Sequence, residues 1–591
     1  MKKAFALLLA ALMLLSLLAA CGSQPAADPT PTPAEDSASA SATPASDEPD
    51  TSTDTEGPMS NTGDSIATAE NQSGTFAGAS ERNESGVYST GGLTLPLTDE
   101  PLEYSIFSIN LISFYGLEDN NQVACYAEAE KRTGVHINWA LESFATAQEK
   151  FNLSIVSGDY YDSYDTGNVF NASSWYIGGY DKYIDDGVII DLNNLLPANA
   201  PNYWALANAN DTARRSTRTD DGAMPFMRTI NVDLSLEPSW QGMVVRNDLL
   251  RQTGIDYSTV NAIDEYHEML TALKPYCDTP LLIPATGYDD NLLAAWNLNF
   301  TYFQKDGNVI FGPAAPEFKD YLKTLRQWYE EGLISKDFTT TDTSARNNMM
   351  YNGEVAVFQG GYASPYEYPA LSTIEGYELK ALYNPVLAEG QIRHVNKGTI
   401  PGTFCGGGNF TISTACQNPE TLVSWLDYWY CEEGFYLGNY GVEGVSWDWH
   451  EGFDRPTFTD WIEDNPDGKT NNEMRFSNAA GPFHAKLYDW RVGYYRKYGP
   501  DAMDIPLKIW DADFDNAWSM PEVAVTQAES EEYARAYNDV KTYADEMTLK
   551  FITGVEDIDA GWDKYIATLE NFGLQTMLDI QQAALERYYQ K

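Results

Sequence analysis

Between residues 103 and 158 the chain reads strand, helix, strand, helix, an order that belongs to α/β layer folds. "EYSIFSI" (103–109) alternates apolar and polar residues at the period of a half-buried strand. Asp119 or Asn120 can cap a helix that runs through Arg132 and stops at Gly134. "VHINWAL" (135–141) alternates again, and a helix over 146–156 ends at Gly158. "MVVRNDLLRQTGI" predicts a short strand and a helix stopped by Gly254. Asn261 with Asp264 resembles a capping box, after which Ile263, Tyr266, Leu270 and Leu273 make one apolar face. "PEFKDYLKTLRQWYEEG" has Pro316 near a helix start and Gly332 past its end. "GEVAVFQGG" (353–361) and "FCGGGNFTIST" (404–414) predict buried strands beside glycine turns. "NPETLVSWLDYWYCEEG" (418–434) predicts one capped helix, and helices over 530–552, 559–572 and on to Tyr589 close the chain. Counted from about Asp99, the globular part holds roughly 490 residues, more than one core accommodates, so two or more lobes are expected.

A leader and a tether precede it. Lys2 and Lys3 stand before an uncharged stretch over 4–20, marginal in length for a membrane span and without a positive stop-transfer flank, so residues 1–20 read as a signal peptide. Its end, Leu18-Ala19-Ala20-Cys21, resembles the lipobox of bacterial lipoproteins. That resemblance implies a diacylglyceryl group on the Cys21 sulfur, cleavage before it, and an acyl chain such as palmitate on the new amine. Two or three chains on one residue would anchor stably. Residues 22–81 hold no Lys or Arg and one aromatic, Phe76, too little apolar surface to offset the entropy of ordering. A disordered acidic tether over 21–98, about 50 Å end to end, would leave the folded part at the outer face of a bacterial cytoplasmic membrane.

The net charge of −49 argues against a nucleic-acid partner, which needs Lys and Arg patches. With Cys21 lipidated, Cys125, Cys277, Cys405, Cys416 and Cys431 remain, an odd number at wide spacings that is no disulfide framework; a Cys405–Cys416 pair across a loop stays open. No Cys-x-x-Cys occurs, which disfavours a thiolate zinc site, and no cofactor is expected. The 38 Tyr, 24 Phe and 15 Trp supply flat faces with polar edges, a lining suited to sugar rings, although most must fill the core.

Four separated segments then carry a family resemblance. "VVRNDLLRQTGI...AIDEYHEMLTALK", "MYNGEVAVFQGGYA", "YWYCEEGFYLGNYGVEGVSW" with its Gly441-Val442-Glu443-Gly444 segment, and "FITGVEDIDAGWDKYIATLENFGLQTMLDIQQAALERY" resemble, in this order, the family 1 extracellular solute-binding proteins of ABC importers, in their lipid-anchored oligosaccharide-binding branch. Gly158-Asp159-Tyr160-Tyr161-Asp162 departs from the family pattern, which often has Pro between the two acids. The resemblance implies a type 2, two-lobed periplasmic-binding-protein-like α/β fold with a hinge crossed more than once. The first lobe is expected at 99–236 plus 381–433 and the second at 237–380 plus 434–591. A monomer would close on a carbohydrate in the cleft and present it to ABC permease subunits.

Binding needs ring faces and a few polar groups, supplied in α/β folds by loops after strands. Candidates are Asn110 and Tyr115 after the first strand, Asp162 and Asp165 in the Tyr-rich loop, and Trp240 before "MVVR" at the expected hinge. Trp296, Tyr362 after Gly360-Gly361, Asn409 after three glycines, Glu443, Trp447 and Trp449 complete the set. Each aromatic among them is equally readable as core. No Gly-x-Ser-x-Gly, His-Glu-x-x-His, Walker loop or Gly-x-Gly-x-x-Gly occurs, and none of the five His pair at metal spacing, so no enzyme is expected. A glycoside hydrolase, which needs only two carboxylates, a peptide- or pheromone-binding lipoprotein, and a cell-wall or adhesion role remain as rivals. "EDNPDGKTNNE" (463–473) has calcium-loop-like spacing but lacks Glu at the twelfth position, which falls on Met474, so a polar turn is expected.

Overall fold

The computed structural model describes residues 88–165, 175–231, 239, 241–395, 409–453, 455–481, 484–493, 496–499, 502 and 504–591. Two sheets among these residues draw on nine strands: β1 (Leu102–Ile109), β2 (Val135–Glu142), β3 (Ser163–Asp165), β4 (Met227–Arg228), β5 (Gln241–Arg246), β6 (Thr279–Leu282), β7 (Val355–Gly361), β8 (Leu379–Ala381) and β9 (Asn409–Ile412). The first sheet runs β2-β1-β3-β9-β4 and the second β8-β5-β7-β6. β1 is parallel to β2 and β3, while β9 lies antiparallel to β3 and β4. β7 is parallel to β6 and antiparallel to β5.

Alternation along the strands feeds a core on each face. Tyr104 and Ile106 of β1 enter one cluster, Phe107 and Ile109 another. In β5, Met243 and Val245 face one way and Val244 the other. Both lobes are therefore sheets covered on both sides, the layered α/β architecture expected from the sequence.

The helices include α1 (Ala124–Thr133), α2 (Ala147–Ser157), α3 (Ile263–Leu273), α4 (Phe318–Glu330), α5 (Pro419–Tyr428), α6 (Glu432–Tyr440), α7 (Gln527–Thr553), α8 (Ile558–Phe572) and α9 (Leu574–Gln590), with further helices of nine residues or fewer between them. α4 buries Phe318, Tyr321, Leu322, Leu325 and Trp328 along one stripe, each contributing about 1.5–3 kcal/mol. The cap before α3 is Glu265 rather than Asp264: its carboxylate accepts the Asn261 and Ala262 amides, both at 2.8 Å. The single helix expected over 418–434 is two, α5 and α6. Gly434 lies so close to the Tyr428 carbonyl that a Cβ there would stand 1.7 Å from the oxygen, an approach only glycine permits. The Tyr-rich loop also contains β3, which three residues were too short to announce.

The chain leaves the first core between Asn231 and Gln241, returns between Val395 and Asn409, and leaves again between Val492 and Ile505. Three crossings agree with the expected hinge, but the lobe boundaries need correction. Leu382, Val386 and Val395 pack in the second core, although 381–433 was assigned to the first lobe. Phe435, Phe458, Met474 and Leu487 pack in the first, although 434–591 was assigned to the second. The reason is a long-range pairing: Leu487–Tyr488 runs parallel to Ile230–Asn231 and holds this segment to the first lobe. The expected leader and the tether as far as residue 87 lie outside the described residues, but 88–98 are folded rather than part of a disordered tether: Tyr88 is buried in the first core, Leu93, Leu95 and Leu97 pack against it, and the Ser89 amide donates to Glu432 at 3.0 Å. No helix among the described residues is long and apolar enough to cross a membrane.

Trp510 is buried over Gly242, where a Cβ would stand 2.3 Å from the indole, and its Nε1 donates to the Met243 carbonyl at 3.2 Å. Gly242→Ala is expected to cost about 1–3 kcal/mol by overpacking. Urea unfolding measures it, and an unchanged midpoint would mean that Trp510 moves aside freely.

Candidate functional site

The candidate site lies where β1 and β3 end. There a small, open concavity lies in the first lobe, walled by Tyr115, Tyr126 and Phe476 and carrying the polar groups of Ser108, Asn120, Asp165 and His484. Ser108 Oγ donates to Asp165 Oδ2 at 3.1 Å, joining the ends of the two parallel strands. Beyond β1 the chain makes a 3-10 turn, Ile112–Tyr115, ended by Gly116 in the left-handed region. Asn110 Oδ1 accepts the Ser113 amide at 3.1 Å, so Asn110 shapes the turn that presents Tyr115. Tyr115 packs against Phe476 with ring centroids 4.4 Å apart. Phe476 ends the helix Asn471–Phe476, which Thr470 and Glu473 cap reciprocally. The Arg475 guanidinium sits 4.8 Å from the Phe476 ring centroid. Burial raises the Tyr115 pKa and Arg475 opposes the rise, so the phenol stays protonated and able to donate at neutral pH.

The second lobe reaches this wall from the end of β7. Tyr362, directly after Gly360-Gly361, hydrogen-bonds with Arg475, and burial holds its phenol protonated too. Nearby, Tyr366 stacks on Tyr498 at 4.6 Å and 17°. Lys497, beside Tyr498, is fixed to the first lobe through Glu463, whose carboxylate accepts its amide at 2.8 Å. Of the expected site residues, Tyr115 and Asp165 line this pocket, Asn110 shapes the turn that carries Tyr115, and Tyr362 reaches Arg475 from the second lobe.

Other candidates are placed elsewhere. Asp162 accepts the Ser105 amide at 2.7 Å and its hydroxyl at 2.8 Å, tying β1 to the residues just before β3. Trp296 is buried in the second core, edge-on to Tyr321. Asn409 is buried opposite Arg228 in the β9–β4 register. Trp447 is 1% exposed in the first core, its Nε1 donating to the Gly441 carbonyl at 2.9 Å. Trp449 packs on the same cluster and donates to the Tyr88 hydroxyl at 3.2 Å. Glu443 pairs through its backbone with Trp447. Cys21, Trp240 and Cys405 lie outside the described residues, and Cys416 is buried. Asn465 closes the 463–473 loop on Lys469, accepting its amide at 3.0 Å and donating to its carbonyl at 2.7 Å, the polar turn expected there. No group of three His, Cys, Asp or Glu among the described residues is arranged to hold a metal.

The sequence reading did not single out Phe476, Arg475 or His484. One signal was available: the Thr470–Glu473 capping box, which sits in the stretch read as a possible calcium loop.

Two α/β lobes, a polar pocket with aromatic walls at the strand ends of one, and a tyrosine of the other bonded to Arg475 beside that wall define a two-lobed ligand-binding protein. The chain belongs to the bacterial extracellular solute-binding protein family, whose sequence model matches residues 121–434, more than half of its length. It is 25% identical over 529 residues to the fructooligosaccharide ABC transporter substrate-binding protein FusA of Streptococcus pneumoniae serotype 4, covering 85% of this chain and 93% of that protein. It is 24% identical over 346 residues to lipoprotein LipO of Bacillus subtilis, covering 55% and 64% of the two chains. The structure of S. pneumoniae FusA in complex with kestose superposes with a TM-score of 0.64 at 20% identity, over 82% of this chain and 99% of that one. The family and FusA are binding proteins rather than enzymes.

Proposed function

We propose that the chain captures an oligosaccharide between its lobes and delivers it to the permease subunits of an ABC importer. The observation that carries this reading is the pocket itself: Tyr115 and Phe476 offer ring faces beside Ser108 and Asp165, and Tyr362 reaches Arg475 from the other lobe. Ring faces suit the C–H faces of sugars, and the polar groups suit their hydroxyls. The name of FusA supports the ligand class and the transport role. A lipid anchor at Cys21 is part of the proposal, supported by the lipobox-like end of the leader and by the likeness to LipO; it would hold a monomer at the outer face of the cytoplasmic membrane.

Thermal unfolding with a panel of oligosaccharides, amino acids and peptides tests it. A ligand at a hundred times its Kd is expected to add about 2.7 kcal/mol. A glycan that raises Tm and is recovered intact supports the reading. A glycan recovered cleaved replaces it with a glycosidase, and a shift by peptides alone removes the sugar. Tyr115→Ala is expected to weaken binding of the active glycan about tenfold, or about 1.4 kcal/mol. Calorimetry showing unchanged affinity would remove Tyr115 from the site.

A further inference from the structure

His484 lines the pocket together with Ser108 and Asp165, yet only 4% of the residue is exposed. Its imidazole is enclosed by aromatic rings. The centroids of Phe410, Trp429 and Tyr126 stand 4.9, 5.2 and 5.3 Å away, and those of Trp139 and Trp425 at 6.1 Å, all near edge-to-face. The ring is carried by a short run entering the Leu487–Tyr488 strand, where the Thr229 hydroxyl donates to the His484 carbonyl at 2.9 Å. Its Nε2 is buried without a hydrogen-bond partner, and so are the indole nitrogens of Trp139 and Trp429 in the same cluster. Native folds leave few buried polar atoms unpaired, because each forfeits its hydrogen bonds to water. An aromatic hydrocarbon would satisfy this cage without that loss, so packing does not explain a histidine here.

We propose that His484 is a specificity-determining residue of the pocket, hydrogen-bonding a hydroxyl of an uncharged sugar unit. The inference rests on the carbohydrate reading above and narrows it to neutral sugars. Burial first, and then the nearby Lys486 charge, keep the imidazole neutral. A neutral imidazole carries one N–H and one bare nitrogen, and since a hydroxyl can act as donor or acceptor it can pair with either one. A uronate carboxylate would find no positive charge on this ring and would face the Asp165 carboxylate across the same pocket, while the two nearby cations are already engaged, Arg475 by Tyr362 and Lys486 by the Gly438 and Ala480 carbonyls. The buried imidazole is thus a polar group that the fold tolerates and a ligand satisfies.

The test uses the full chain and calorimetry with neutral fructo-, manno- and galacto-oligosaccharides beside alginate oligouronates. The unaltered chain is expected to bind a neutral member of the panel. His484→Phe is expected to weaken that binding at least tenfold while Tm of the ligand-free protein holds or rises. These opposite movements separate a binding role from a structural one, which would lower both. Binding within twofold of the unaltered chain overturns the proposal. If His484→Phe does not fold, His484→Leu is read by the same criteria, and loss of fold in both overturns it by making the ring structural. Preference for the oligouronates overturns the assignment to neutral sugars. Failure of every glycan to bind the unaltered chain is a different result: it removes the carbohydrate reading itself.

Discussion

Trp447→Ala is expected to lower stability by about 3–5 kcal/mol and to leave the affinity of the chain that remains folded within about twofold. The indole is enclosed by the first core: Tyr436 stacks on it at 5.4 Å, Tyr440 lies at 6.0 Å, and Trp449 meets it edge-on at 6.2 Å. Truncation to alanine leaves a cavity lined by rigid rings that collapse poorly, and it strands the Gly441 carbonyl that Trp447 Nε1 satisfied. Urea unfolding gives the first quantity and calorimetry on the folded fraction the second. Unchanged stability with lost binding would return Trp447 to the ligand site.

The second large effect is a pH dependence centred on Asp427. This carboxyl, on α5, is wholly buried, and burial pushes its pKa from 3.8 up to about 7. Its hydrogen bonds pull the other way: Oδ1 accepts the Tyr203 amide at 2.7 Å, and Oδ2 accepts Asn202 Nδ2 at 2.8 Å and the Asn202 amide at 3.3 Å. They do not cancel the desolvation. Between 3.8 and about 7 the folded state keeps a proton that the unfolded chain has released. Stability from this group is therefore full below 3.8, falls as pH rises through that window, and is gone above about 7. The total is on the order of a few kcal/mol. Unfolding free energies measured from pH 4 to 8 are expected to show the decline, and Asp427→Asn to remove it. A variant with the same slope as the unaltered chain would place the titration elsewhere.

Local pattern and long-range packing divided the fold between what the sequence shows and what it does not. β1, β2 and α3 were readable because alternation and a 3.6-residue apolar stripe are properties of contiguous residues. β3 is too short to alternate, and the break between α5 and α6 depends on how Gly434 meets a carbonyl two turns earlier. The lobe boundaries moved because nothing in the composition of 434–492 reports its partner strand, Ile230–Asn231. At the candidate site, Tyr115 and Asp165 were legible because they stand at or just beyond strand ends, where α/β folds place ligands. Arg475, Phe476 and His484 were not, since their segment is placed by contacts distant in sequence, Phe476 on Tyr115 and His484 on Thr229, 255 residues away. Trp296 and Trp447 show the limit of composition: an indole that suits a sugar suits a core equally well.

The position of β9 has a consequence for synthesis. It lies in the middle of the first sheet, between β3 and β4, and β4 pairs with no other strand of that sheet. Thr411 on β9 meets Tyr164 on β3 across 247 residues of sequence. At about 5–20 residues per second, the ribosome needs roughly 12–50 s to cover that interval. β5 to β8 all emerge inside it, so the second sheet has every strand it needs while the first still lacks the strand that joins β4 to β3. A nascent chain of this protein would therefore carry the first sheet as an unfinished, apolar surface until the chain has been made past β9, at residue 412 of 591. Chaperone engagement is expected to persist to about residue 412, where the last strand of the first sheet ends.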